Sequence, residues 1–241
     1  MPLDRALARI SWAGFKSTEL FLPATQPLPE AAALAATLEA ADLSLAAVDA
    51  GALAGEDETT GLESAARLGR CAVLARNLQA NRVVCDLAIA AEPLAEQLLS
   101  QLLAALAQVP VLLCLRNRPE DGPEGRERLL SLIAANPDRL GLALDPGAAY
   151  RAGWDPLAEW EHVGPSLRHL YLTDATGSIA VAPGTGDLRL EELAERVRAS
   201  GYSGALSLWV RQDIQSADPL FTEATLKEAR FLMESWFDGA D

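Results

Sequence analysis

Arg82-Val83-Val84-Cys85-Asp86-Leu87-Ala88-Ile89 and Pro110-Val111-Leu112-Leu113-Cys114-Leu115 are two short, nearly unbroken apolar runs, and Leu94, Leu98 and Leu102 lie between them at helical spacing. A strand with one wet face alternates apolar and polar residues; a strand covered on both faces need not. The stretch therefore reads as strand, helix, strand. A crossover helix leaves its two strands parallel and right-handed.

The same beat extends in both directions. Leu140–Asp145, Arg168–Thr173 and Ala205–Val210 are further apolar runs, with Leu190, Leu193 and Val197 on one helical face between the last two. Asp155-Pro156 and Asp218-Pro219 carry the N-cap-plus-proline signature of helix starts. Towards the N-terminus, Leu3, Leu7 and Ile10 have helical spacing and end near Gly14, a C-cap candidate. Lys16–Leu22 then reads as a strand, Pro29–Ala41 as an Ala-rich helix, Leu43–Val48 as a strand and Glu63–Leu78 as a helix. The count is seven strands preceded by a helix, in one domain covering residues 1–241, with no linker or repeat. The expected fold is α/β, a TIM-type (β/α) barrel of seven parallel strands that begins with a helix. A chain of 241 residues suits such a barrel, which commonly runs to about 250.

Half the residues are hydrophobic, enough for a sizeable core. Twenty Lys and Arg against 34 Asp and Glu leave a net charge of −14. Nucleic-acid affinity comes largely from counterions released by basic residues, so this balance argues against a nucleic-acid partner. Met1-Pro2-Leu3-Asp4-Arg5 carries an acid and no long apolar stretch, unlike a signal peptide. No window approaches the roughly 18 apolar residues that span a bilayer. Cys71, Cys85 and Cys114 are scattered, without a Cys-x-x-Cys pair, and read as buried reduced thiols. A cytoplasmic protein is expected.

Several segments, in order, resemble the xylose isomerase-like TIM barrels, the sugar phosphate isomerase/epimerase family that also includes endonuclease IV. They are Ala13-Gly14-Phe15-Lys16-Ser17-Thr18-Glu19-Leu20, Leu140-Gly141-Leu142-Ala143-Leu144-Asp145, Arg168-His169-Leu170-Tyr171-Leu172-Thr173-Asp174, Pro183-Gly184-Thr185-Gly186-Asp187 and Gly201-Tyr202-Ser203-Gly204-Ala205-Leu206-Ser207-Leu208. The resemblance leaves no residues for the family's first strand ahead of Leu3–Ser11. Either the barrel has a gap there, the preferred reading, or Ala8–Trp12 is itself that strand. An open barrel exposes two strand edges, which favours a homo-oligomer.

The resemblance implies a divalent metal at the C-terminal mouth, held by carboxylates and imidazoles, that polarises a sugar while a carboxylate moves its proton. Carried over residue by residue, that ligand set is depleted. The fifth-strand glutamate falls on Arg116, the histidine after Asp145 on Ala148, the seventh-strand histidine on Tyr171 and the eighth-strand glutamate on Trp209, while Asp145 and Asp174 remain. No metal or other cofactor is therefore expected. An Arg116–Asp145 ion pair could stand in for the metal cluster, or Arg116 could bind a phosphate or carboxylate in bidentate fashion; both could equally be scaffold charges. Asp145 or Asp174 is the candidate base, Arg116 the stabiliser of a developing enediolate and Tyr171 a proton relay. Glu19, Asp86, Asn117, Trp209 and Arg211 are candidates to line the mouth, with Asp213 at its rim. Tyr171 and Trp209 could instead fill the vacated metal cavity. His169 is expected to face the helices and His162 the surface. Gly184 and Gly186 could cradle a phosphate or form a plain loop.

No nucleophile elbow, Walker or Rossmann fingerprint is present. Three functions remain: a pseudoenzyme that kept the fold as a binding or assembly protein, a metal-independent isomerase or epimerase of a small sugar or sugar phosphate, and a conventional metal-dependent sugar isomerase. The residue carry-over favours the first.

Overall fold

Helix comes first, as the spacing of Leu3, Leu7 and Ile10 predicts. In the computed structural model, which describes residues 2–89, 92–120, 122–208 and 219–237, α1 spans Leu3–Trp12 and buries Leu7. Gly14 takes φ 97° and turns the chain into β1, with the Phe15 N–H donated back to Ile10 O. The reading of Ala8–Trp12 as a first strand is thereby excluded. The elements follow as β1 (Ser17–Phe21), α2 (Ala31–Ala40), β2 (Ser44–Ala54), α3 (Glu58–Asn77), β3 (Arg82–Ala88), α4 (Glu92–Ala105), β4 (Leu112–Arg116), α5 (Gly122–Ala135) and β5 (Leu140–Leu144). Then come α6 (Pro146–Arg151), α7 (Trp160–Val163), β6 (Leu167–Leu172), a hairpin of β7 (Asp174–Thr176) and β8 (Ile179–Val181), α8 (Leu190–Ala199), β9 (Ala205–Leu208) and α9 (Pro219–Phe237).

Seven strands pair in parallel in the order β1-β2-β3-β4-β5-β6-β9 and form a nearly closed barrel. Side chains alternate across each strand, which sorts them into two layers. Val83, Cys85, Leu113, Leu115, Leu142, Leu144, Leu170 and Leu172 point outward and pack with helix residues such as Leu68, Leu98 and Leu129. Ala47, Val84, Cys114, Ala143 and Tyr171 point inward and form a separate interior cluster of mostly small side chains. The cysteines are buried and unpaired.

Two local expectations change. Asp155-Pro156 opens a turn, with Asp155 Oδ1 accepting from the Leu157 N–H at 2.9 Å, and the next helix waits until Trp160. The N-cap-plus-proline signature works instead at Asp145-Pro146, where Asp145 ends the strand region and caps α6. The sequence reading also overlooked the β7–β8 hairpin, whose strands are three residues each and too short to show a pattern. Among the described residues, no helix is long and apolar enough to cross a membrane.

Candidate functional site

The C-terminal ends of parallel barrel strands converge on one mouth, so inward residues late in each strand share a site. Asp49 in the middle of β2, Asp86 near the end of β3 and Arg116 at the end of β4 meet there. Arg116 donates from Nη1 to Asp49 Oδ2 at 2.6 Å and from Nε to Asp86 Oδ1 at 2.7 Å. Asp49 is aimed by an irregularity in β2. The β2–β3 register shifts between Asp49 and Ala52, Gly51 takes φ 77°, and its N–H is donated to Asp49 Oδ1 at 2.9 Å. Burial pushes the Asp49 carboxyl up while Arg116 and the Gly51 N–H pull it down; the net direction is upward. Burial alone would lower the Arg116 pKa, but Asp49 and Asp86 outweigh it and raise it, so the guanidinium is permanently charged.

A second half of the network lies across the barrel. Tyr171 Oη accepts from Arg116 Nη1 at 3.4 Å and donates to Glu19 Oε1 at 2.6 Å. Ser207 Oγ donates to Glu19 Oε2 at 2.6 Å, and His169 Nε2 lies 2.9 Å from Ser207 Oγ and 3.0 Å from that carboxylate oxygen. With the Ser207 O–H donated to Glu19, His169 Nε2 is assigned as the donor, and the buried Nδ1 has no partner. Burial raises the Glu19 pKa, but His169, Ser207 and Tyr171 more than offset it, so Glu19 is held below the ordinary range. Burial and neighbouring Glu19 push the Tyr171 phenol well above its usual value. These contacts also join the two ends of the strand order: Glu19 belongs to β1 and Ser207 to β9, and no backbone pairing joins those two strands among the described residues.

The network gathers four residues expected at the site: Arg116, Tyr171, Glu19 and Asp86. The expected Arg116–Asp145 pair is replaced by salt bridges to Asp49 and Asp86, because the Asp145 carboxylate is committed elsewhere. Asp145 Oδ1 accepts from the Ala148 N–H at 2.8 Å and from Thr173 Oγ1 at 2.5 Å. Asn117 is buried and extends the β4–β5 ladder with its amide, accepting from Asp145 N at 2.8 Å and donating to Asp145 O at 2.9 Å. Asp174 is fully buried and accepts from the backbone N–H groups of Ala175, Gly184, Gly186 and Leu188. The Gly184–Gly186 loop therefore does cradle an anion, but that anion is the protein's own carboxylate. Trp209, Arg211 and Asp213 lie outside the described residues.

His169 corrects the expectation that it faces the helices. Residues two apart on a strand share a side, so His169 joins Tyr171 in the interior, with ring centroids 4.7 Å apart. Asp49 and Ser207 were also missed. Asp49 shares with Asp86 the signal that mattered, a lone acid within an apolar strand; Ser207 gives no such signal.

Residues 7–234 match the family model described as xylose isomerase-like TIM barrel. The chain belongs to the xylose isomerase-like TIM barrel family. No curated protein sequence matches it significantly. Among solved structures, a xylose isomerase domain protein from Planctomyces limnophilus is similar at TM-score 0.76 and 18% identity, over 95% of this chain and 90% of that one. A D-psicose 3-epimerase crystallised in the presence of D-fructose gives 0.76 and 13%, over 99% and 95%. An IolI protein with a bound zinc atom gives 0.77 and 15%, over 98% and 93%. At these identities the likeness is one of fold.

The divalent metal that this family implies does not fit the described residues. Arg116 places a fixed positive charge between Asp49 and Asp86, and both Glu19 oxygens are taken by hydroxyl donors. Among the described residues, no group of three His, Cys, Asp or Glu side chains is arranged to hold a metal ion.

Proposed function

We propose that this member of the xylose isomerase-like family is a binding barrel for a small sugar-like ligand that has exchanged the family's cation for a guanidinium and no longer performs isomerase chemistry. The observation that carries the reading is Arg116 bonded at 2.6 and 2.7 Å to Asp49 and Asp86. Epimerisation at carbon needs a base that can reach a C–H bond and an acid that returns the proton. Glu19 is engaged at both oxygens, Tyr171 is buried with a raised pKa, and Asp49 is buried behind Arg116. What the mouth offers a ligand is the open side of Asp86, whose side chain is 25% exposed, and the exposed ring of Phe21 at the end of β1. A carboxylate and an aromatic face suit a polyhydroxylated ring.

The test is calorimetric titration with a panel of aldoses, ketoses and their phosphates, paired with proton NMR of the same mixtures in deuterium oxide. Binding without deuterium entering carbon-bound positions supports a binding barrel. Deuterium incorporation that depends on the protein overturns it and restores the isomerase reading.

A further inference from the structure

A cavity of about 270 Å³ lies between α6, the turn that follows it and the first turn of α8. None of its lining residues belongs to the Arg116 network. The backbone fixes both of its walls. Gly153 takes φ 82° just after α6, and the Trp154 N–H returns to Ala149 O at 3.1 Å, which folds the chain back on the helix. Opposite, the Asp187 N–H is donated to Ala175 O at 2.8 Å and holds the segment leading into α8 against the β7–β8 hairpin. Between these supports Trp154, Leu157, Leu188 and Leu193 form an apolar lining, and none of the four is exposed.

The charged groups that line the cavity do not balance. Arg189 is claimed twice, donating to Asp155 at 2.9 Å and to Glu192 at 3.0 Å. Asp187 receives only neutral donors, the Tyr150 O–H at 3.3 Å and the Gly177 N–H at 3.2 Å, both at Oδ2. Among the described residues no cation pairs with Asp187 and no donor reaches its Oδ1. The Asp187 charge raises the Tyr150 phenol above its usual value, with desolvation and their hydrogen bond adding to the effect. Tyr150 and Asp187 both line the cavity and both are exposed, so a ligand there reaches them.

A carboxylate without a cation, beside an aromatic ring at the edge of an apolar cavity, matches an ammonium group carried on an apolar body. We propose that this cavity binds a small organic ammonium ion, its apolar part among Trp154, Leu157, Leu188 and Leu193 and its charge between Asp187 and the Tyr150 ring. The volume is near the lower end for small-molecule sites, about 300 Å³, which limits the ligand's size. Exposed ion pairs contribute little in water, so the apolar part supplies most of the affinity and the charge selects among ligands of one shape. The site goes beyond the proposed function of the mouth and does not depend on it.

Calorimetric titration with 2-phenylethylammonium, compared with the uncharged 2-phenylethanol of nearly the same shape, tests the site. The wild-type chain should bind one equivalent of the amine, and the alcohol about threefold or more weakly. Asp187→Asn keeps an oxygen acceptor for the Gly177 N–H but removes the charge. It should weaken amine binding about threefold to fivefold, leave alcohol binding unchanged and fold normally by circular dichroism. Tyr150→Leu leaves Asp187 in place, should weaken the amine more than the alcohol, and decides the case if Asp187→Asn does not fold. Glu161→Gln removes an exposed negative charge outside the cavity and should change neither affinity. No binding of the amine to the wild type, equal affinity for the two probes, wild-type amine binding by a folded Asp187→Asn, or equal weakening by Glu161→Gln overturns the site.

Discussion

Substituting Arg116→Met is the most informative single perturbation of the mouth. The side chains of Arg116 and Asp49 are only 8% and 6% exposed, so their pair belongs with buried ion pairs and not with surface pairs worth under about 1 kcal/mol. Removing one member of a buried pair strands the other charge, at a cost of about 3–5 kcal/mol. For a chain of this size each kcal/mol moves Tm by about 2–4 °C, which gives a fall of roughly 6–20 °C. The loss depends on pH. Arg116 is the main influence holding Asp49 down against burial, so the variant raises the Asp49 pKa further. A carboxyl with a raised folded-state pKa favours folding when protonated, and that contribution is lost as pH rises through the folded value. The deficit of the variant should therefore be largest at neutral pH and shrink towards pH 5. Adding Asp49→Asn should recover more than half of it. Thermal unfolding followed by circular dichroism at the two pH values measures all three quantities. A deficit below about 1 kcal/mol, or a double variant no more stable than Arg116→Met, would refute the reasoning.

Tyr171→Phe removes the hydroxyl 2.6 Å from Glu19 Oε1 and should destabilise the barrel by about 1–3 kcal/mol in urea unfolding. Glu19→Gln should flatten the acid limb of the stability curve. Glu19 is held below its ordinary value of 4.5, so the stability it contributes is present above that pH and lost as pH falls through its lower folded value. Asp174→Ala leaves four backbone N–H groups without their acceptor and should cost more than about 3 kcal/mol, with the Gly184–Gly186 loop losing its protection against hydrogen exchange. Asp86→Asn, on the more exposed partner of Arg116, should cost less than the loss of Arg116 by thermal unfolding.

The barrel was legible because buried parallel strands are written as apolar runs and their crossover helices as 3.6-residue patterns, from Arg82–Ile89 to Ala205–Val210. The opening helix was legible too, from the helical spacing of Leu3, Leu7 and Ile10. Charge partners were not. Which carboxylate meets Arg116 depends on strand register and on the β2 irregularity at Asp49–Gly51, and neither leaves a local pattern. Asp145 sits on the neighbouring strand and was the natural choice, yet capping α6 claims it. Asp174 shows the same competition, because orphaned backbone donors in a glycine loop took the carboxylate before any ligand could. His169 was within reach of the sequence: the two-residue period that places Tyr171 inside places His169 there as well.

The central claim is that a guanidinium has taken the cation's place at the mouth. It is met most directly by titrating the wild-type chain with Mn²⁺, Mg²⁺ and Zn²⁺, followed by desalting and elemental mass spectrometry. The account predicts no stoichiometric metal. One equivalent retained per chain, and released by Asp86→Asn or Asp49→Asn, would contradict it.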